Sequence, residues 1–321
     1  MFRKLLLRSS LFFALSLFGD AHIFVYHRFD DPRYPATNTS LEQLKKDFTY
    51  LKEHHYKVIP LQQLVDALKN REKIDDKWVV LTIDDGYKSF LKALPLFRKF
   101  KYPFTIFIAT KPIENRYGDF LHWEDLRLIK RFGEIGLHSH AHPHLVNLSN
   151  DQIQKDTQQA LQLFQKHLSM QPKSYAYPYG EYDERVKKII KSFGFSAICN
   201  QNIGAISKTS DVYDLDRIAL VGKSNIAKQL RIQHLNAQWL APIHYPRTGI
   251  LENVKIKVSP QYTTGWLYVT DYGWKRVKIK NGIVNEYLGY KLKRDRVRVI
   301  IKVKHSKINT KILVRSRDGT E

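Results

Sequence analysis

Apolar and polar positions along this chain follow two rhythms, and the change between them divides it. From about residue 22 to 248, short apolar runs alternate with segments whose apolar residues recur every three or four positions. Leu41, Leu44, Phe48 and Leu51 mark a helix face ahead of a Val58-Ile59 strand. Val79 to Ile83 and Phe104 to Ile108 read as buried strands. Ser149 is placed to cap a helix running toward His167, with Ile153, Leu161, Phe164 and Leu168 near its apolar face. Arg185 to Phe193 is a further helix, stopped by Gly194. Such alternation predicts an α/β domain with the strands and helices of a barrel.

After about Gly249 the rhythm becomes that of short strands separated by turns. The runs are Lys255 to Val258, Trp266 to Val269, Lys275 to Ile279, Arg296 to Val303 and Lys311 to Val314, with Asn281-Gly282 as a hairpin signal. Arg296 to Lys304 sets cations on one face and aliphatics on the other over much of its length. This predicts a small basic β-sandwich over 249–321. Trp266, Tyr268, Tyr272 and Trp274 are expected to pack in its core, with a glycan platform as the alternative.

With 321 residues and 43% hydrophobic composition, the chain has material for a barrel-sized core and an appendage. Its formal charge of +22 calls for anionic surroundings, such as cell-envelope polymers, lipid headgroups or nucleic acid. Residues 251–321 carry 17 Lys and Arg against 6 Asp and Glu. No zinc-finger, P-loop or RNA-binding signature accompanies that charge, so nucleic acid is not an expected partner.

The first residues predict export. Met1 to Arg8 is basic, Leu11 to Phe18 is a short apolar run, and Gly19-Asp20-Ala21 offers small residues to a signal peptidase. Residues 1–21 are therefore expected to be a signal peptide, with a periplasmic or envelope location and no transmembrane span after cleavage. An uncleaved anchor is the alternative. Cys199 is the single cysteine, so no internal disulfide is expected.

Candidate chemistry lies in three segments. Leu81-Thr82-Ile83-Asp84-Asp85-Gly86 ends a strand on two carboxylates that point in different directions, so one can bind a cation while the other takes a proton. An ordinary surface turn has the same letters. Downstream, Gly136-Leu137-His138-Ser139-His140-Ala141-His142-Pro143-His144 holds two histidine pairs spaced i, i+4: His138 with His142, and His140 with His144. Either pair, with an Asp, makes the ligand set of a Lewis-acid hydrolase. The third segment, Tyr175-Ala176-Tyr177-Pro178-Tyr179-Gly180-Glu181-Tyr182, suits the wall of a sugar site or a strand ending in a turn.

In this order the three motifs resemble the polysaccharide deacetylases, the family of the nodulation-deacetylase homology domain, over about residues 22 to 245. The resemblance implies a distorted (β/α) barrel with Asp84 as catalytic base and Asp85, His138 and His142 as metal ligands. The backbone N–H of Tyr179 would be an oxyanion donor, with Tyr177 and Pro178 beside the substrate. Tyr26-His27 near the start is similar to the permuted branch that includes poly-β-1,6-N-acetylglucosamine deacetylases, which makes His27 the candidate general acid. Many members carry an arginine in the third motif that holds the base, and Ala176 stands there in this chain. Arg217, in Leu215-Asp216-Arg217-Ile218, is the candidate replacement. The implied activity is N-deacetylation of an N-acetylglucosamine polysaccharide, an exopolysaccharide or peptidoglycan. Its cofactor would be a divalent metal, zinc first, with cobalt, nickel, iron and manganese also compatible. The alternative is a catalytically weak exported protein that binds glycan or an anionic envelope polymer through the basic β domain.

Overall fold

A computed structural model describes residues 19–316. The expected leader lies outside these residues except for Gly19 to Ala21. Ala21 is buried and exchanges backbone hydrogen bonds of 2.8 Å with Ile206. No helix among the described residues is long and apolar enough to cross a membrane.

The first domain contains β1 (His22–Tyr26), β2 (Arg28–Phe29), β3 (Asn38–Thr39), β4 (Lys57–Val58), β5 (Trp78–Ile83) and β6 (Thr105–Ile108). It continues with β7 (Glu134–Leu137), β8 (Ser174–Ala176), β9 (Ala197–Cys199) and β10 (Ile218–Ala219). Its main sheet runs β10-β1-β5-β6-β7-β8-β9, with β4 added against β5, and every pairing in it is parallel. A parallel bridge from Cys199 to Leu215, just ahead of β10, brings the sheet's two ends together and gives the distorted barrel. β1 and β5 are apolar almost throughout because they are covered on both faces.

The helices form where periodicity places them. Leu44, Phe48 and Leu51 are the buried face of helix Leu41–Glu53, and the Ser40 side chain accepts from the Gln43 N–H at its start. Ser149 and Gln152 form a capping box for helix Asn150–Leu168. Asp183 caps helix Glu184–Ser192 by accepting from the Val186 N–H. Gly194, at φ +80°, follows that helix where a side chain would be strained.

The second domain differs from expectation at its start. It contains β11 (Gln233–His234), β12 (Gln238–Ala241), β13 (Ile250–Lys257), β14 (Thr264–Val269), β15 (Gly273–Lys280), β16 (Ile283–Lys291), β17 (Arg296–Val303) and β18 (Lys307–Val314). These make one sheet in the order β11-β18-β17-β14-β15-β16-β13-β12, so residues 233–241 belong to it rather than to the barrel. The two strands ahead of Gly249 are too short to show a period of their own. In place of two separate sheets there is one continuous sheet, and both its halves contribute to a single apolar core that includes Val254, Val284, Leu267 and Ile301. The Asn281-Gly282 turn joins β15 to β16. Asn285, Glu286 and Gly289 interrupt the apolar pattern of β16, which is why no strand is legible there.

The expected core placement of the aromatics is corrected. Trp266 and Trp274 are 45% and 46% exposed, and Tyr272 is also exposed. The two tryptophans lie on the outer face of strands whose inner face carries the aliphatics, and Tyr272 lies in the turn between β14 and β15.

β18 seats this sheet on the barrel. Thr310 Oγ1 donates to the Ile203 carbonyl at 2.7 Å, and the Ile312 N–H donates to Asn202 Oδ1 at 3.1 Å.

Candidate active site

The ends of four strands of the main sheet deliver the candidate side chains. His27 follows β1, Asp84 and Asp85 follow β5, His138 follows β7, and Tyr177 to Tyr179 follow β8. The two aspartates diverge. Asp84 is buried and turns to Arg217, whose guanidinium donates to both its oxygens at 2.7 Å. Arg217 is itself 1% exposed and stands one position ahead of β10. Its Nε donates to the Asn200 carbonyl at 2.8 Å and its Nη1 to Thr82 Oγ1 at 3.2 Å, with the Phe107 ring 5.5 Å away. A guanidinium tied at so many points leaves the carboxylate one orientation.

Asp85 turns to the histidines. Its Oδ1 is 3.3 Å from His138 Nε2 and 3.2 Å from His142 Nε2, and the two nitrogens are 3.2 Å apart. His138 Nδ1 donates to the Ala176 carbonyl at 2.7 Å, which directs the Nε2 lone pair into this triangle. Two imidazole nitrogens and a carboxylate oxygen facing one another are the donor set of a borderline divalent cation. The residues present fit such an ion. The other histidine pair is engaged elsewhere: His140 Nδ1 meets Thr110 Oγ1 at 2.8 Å, and His144 Nδ1 donates to Glu181 at 2.7 Å.

Local backbone geometry is part of the arrangement. Asp85, Ser139, His142 and Tyr179 all have φ between +55° and +74°. Each costs roughly 1 kcal/mol or more in a non-glycine residue, and such strain clusters where side chains must be aimed. The Ser139 hydroxyl fixes one of these turns by accepting from the His142 N–H at 2.8 Å.

Electrostatics follow from the packing. Burial pushes Asp84 up, but the charges of Arg217, His138 and His27 outweigh it and hold the carboxyl below its ordinary value. Asp85 is also driven up by burial and is held well below by hydrogen bonding to His138 and His142. Burial works to lower His138, yet the neighbouring aspartates raise it. His27 acts on the charges of both aspartates, and its buried Nδ1 has no hydrogen-bond partner.

The third motif corrects the expectation of a tyrosine wall. Tyr175 and Tyr177 are fully buried, with Tyr177 stacked on Tyr182, and Pro178 is buried as well. Tyr177 and Pro178 can therefore shape the turn but offer no exposed surface. Tyr179 is 39% exposed, packs against His142 and stacks on His144 with ring centroids 4.1 Å apart.

One contributor was not legible in the chain. Arg296, the first residue of β17, donates from Nη2 to the Tyr179 carbonyl at 2.9 Å and lies 3.6 Å from the buried Glu181. Its only advance signal is the cation alternation of β17, which has no spatial meaning until the domains are docked.

Residues 71–198 match the family model for polysaccharide deacetylase. A poly-β-1,6-N-acetyl-D-glucosamine N-deacetylase of Staphylococcus aureus is 24% identical over 231 residues, covering 67% of this chain and 77% of its own length. The Escherichia coli protein of that name is 21% identical over 255 residues, covering 66% of this chain, and this chain spans only 37% of its length. A Streptococcus pyogenes deacetylase solved with acetate superposes with a TM-score of 0.61 at 21% identity, covering 66% of this chain and 98% of that one. Residues 71–198 thus belong to a polysaccharide deacetylase domain, and the chain resembles the poly-β-1,6-N-acetylglucosamine deacetylases of that family.

Proposed function

We propose that this chain is a metal-dependent N-deacetylase of an N-acetylglucosamine polysaccharide, exported to the cell envelope. The observation that carries this reading is the pairing of two sites: an Asp85–His138–His142 triangle beside a separate, buried Asp84 held at both oxygens by Arg217. A protein that only bound glycan would need neither. This favours an enzyme over a catalytically weak binding protein.

A divalent cation held by Asp85, His138 and His142 would supply Lewis acidity and a more acidic water. Asp84 is the base that takes the proton from the attacking water. Arg217 keeps that carboxylate ionised and aimed, at some cost to its basicity. The Tyr179 N–H would donate to the charge that develops on the acetamide oxygen. His27 would protonate the departing nitrogen, since an amide anion does not leave. The products are acetate and a free amine on the sugar.

Acetate release from β-1,6- and β-1,4-linked N-acetylglucosamine polymers and from peptidoglycan, with chelator and with restored zinc, tests the reading. Chelator-sensitive release from one of them is expected. Absence of release from every polymer by metal-loaded protein refutes it.

A further inference from the structure

The outer face of β14, β15 and β17 carries aromatic and cationic side chains in adjoining rows. Trp266 pairs with Arg276 on one side and Lys302 on the other, and Tyr268 pairs with Trp274 and Ile300. Cross-strand partners share a face, so two tryptophans, a tyrosine and two cations form one patch. The Tyr268 and Trp274 rings are 5.2 Å apart, and Lys302 Nζ lies 4.7 Å from the Trp274 ring centre. Trp266 and Trp274 are nearly half exposed although the same sheet has an apolar core on its other face. A monomer that needed these rings only for stability would bury them.

Two arginines extend the patch along β17 toward the barrel. Arg298 is half-buried, no carboxylate among the described residues forms an ion pair with it, and its Nε has no hydrogen-bond partner. Arg296 contacts the Tyr179 turn. At a rise of roughly 3.4 Å per residue, the four steps from Ile300 to Arg296 bring the patch to within about 14 Å of that turn.

We propose that this face is a docking platform for an anionic polysaccharide bearing uronate or phosphate groups. Aromatic rings offer stacking faces for pyranose rings, and the cations, unopposed by acid in these rows, select a negatively charged strand. A second copy of the chain is disfavoured, because a two-fold contact would set this basic face against itself. A saccharide is favoured over nucleic acid because the patch leads, through Arg296, to the third motif of a domain whose family acts on polysaccharides. The proposal goes beyond the deacetylase reading, and only its choice of a saccharide over nucleic acid rests on that reading.

The test is titration of the purified chain with polygalacturonate, followed by tryptophan fluorescence and calorimetry, with dextran and a single-stranded oligonucleotide as comparators. Saturable, salt-sensitive binding is expected for polygalacturonate and none for dextran. The Trp266→Ala/Trp274→Ala double variant should bind about tenfold or more weakly with its charge unchanged. Arg276→Glu/Lys302→Glu should also lose binding, and it serves if the tryptophan variant fails to fold. Asp84→Asn should bind normally, which separates this outcome from failure of the deacetylase reading. Binding untouched by loss of the tryptophans would mean diffuse charge and overturn the platform. Equal or tighter binding of the oligonucleotide, or self-association abolished by the double variant, would also overturn it.

Discussion

Asp84 and Arg217 lie 133 positions apart in the chain yet make a two-point ion pair with no exposure to water. Burial of both charges is expensive, and the attraction offsets it only while both are present. Asp84→Asn should lower kcat/KM by about 10²–10⁴ while leaving zinc affinity, measured by calorimetry, within a few-fold of the parent. Near-normal turnover in that variant would remove Asp84 as the base. Asp85→Ala should lose metal and activity together, since it deletes one of the three proposed ligands. Arg217→Met strands a buried carboxylate and should destabilise the fold by about 3–5 kcal/mol in urea unfolding. The sign of its pH effect is fixed. Arg217 depresses Asp84, so without it burial raises the carboxyl, inactivating protonation begins at higher pH, and the acid limb of the rate profile moves upward.

Helix Leu41–Glu53 carries a polar residue on its buried face. Asp47 accepts from the Tyr26 hydroxyl at 3.1 Å and from Gln43 Nε2 at 2.8 Å, but burial prevails and pushes its carboxyl up to about 6. Its folded state thus retains a proton that the unfolded chain releases. Stability is lost as pH rises from the ordinary carboxylate range through about 6, and the penalty is complete above that. Asp47→Asn should therefore stabilise the protein by about 1–3 kcal/mol near pH 8 and by little near pH 4, read from urea midpoints at the two values. Elsewhere the elements obey local rules: Ser40, Ser149 and Asp183 cap helices as their positions suggest. The strand β16 has no legible period because Glu286 breaks the apolar pattern on its more buried face.

On the scale of the whole molecule, the two domains meet where β18 rests on the barrel and where Arg296 reaches the Tyr179 turn. Arg296→Ala removes a donor from a turn whose backbone is already strained at φ +58°. It should reduce kcat about tenfold, because Arg296 holds the carbonyl of the residue whose N–H is the proposed oxyanion donor. Equal kcat in parent and variant would show that the second domain is only attached.

The chain by itself determined the α/β alternation, the later change to strands, and which residue types stand at the candidate site. Apolar period and capping are local properties, and Asp84-Asp85 and His138 to His142 are adjacent or nearly so along the chain. What only the tertiary structure decided is distant in sequence. It seats Arg217 on Asp84, lets the Ala176 carbonyl aim His138, buries Tyr177 while exposing Tyr179, and brings Arg296 to the third motif. It also turns Trp266 and Trp274 outward, because strand alternation separates two faces but does not say which one the core will cover.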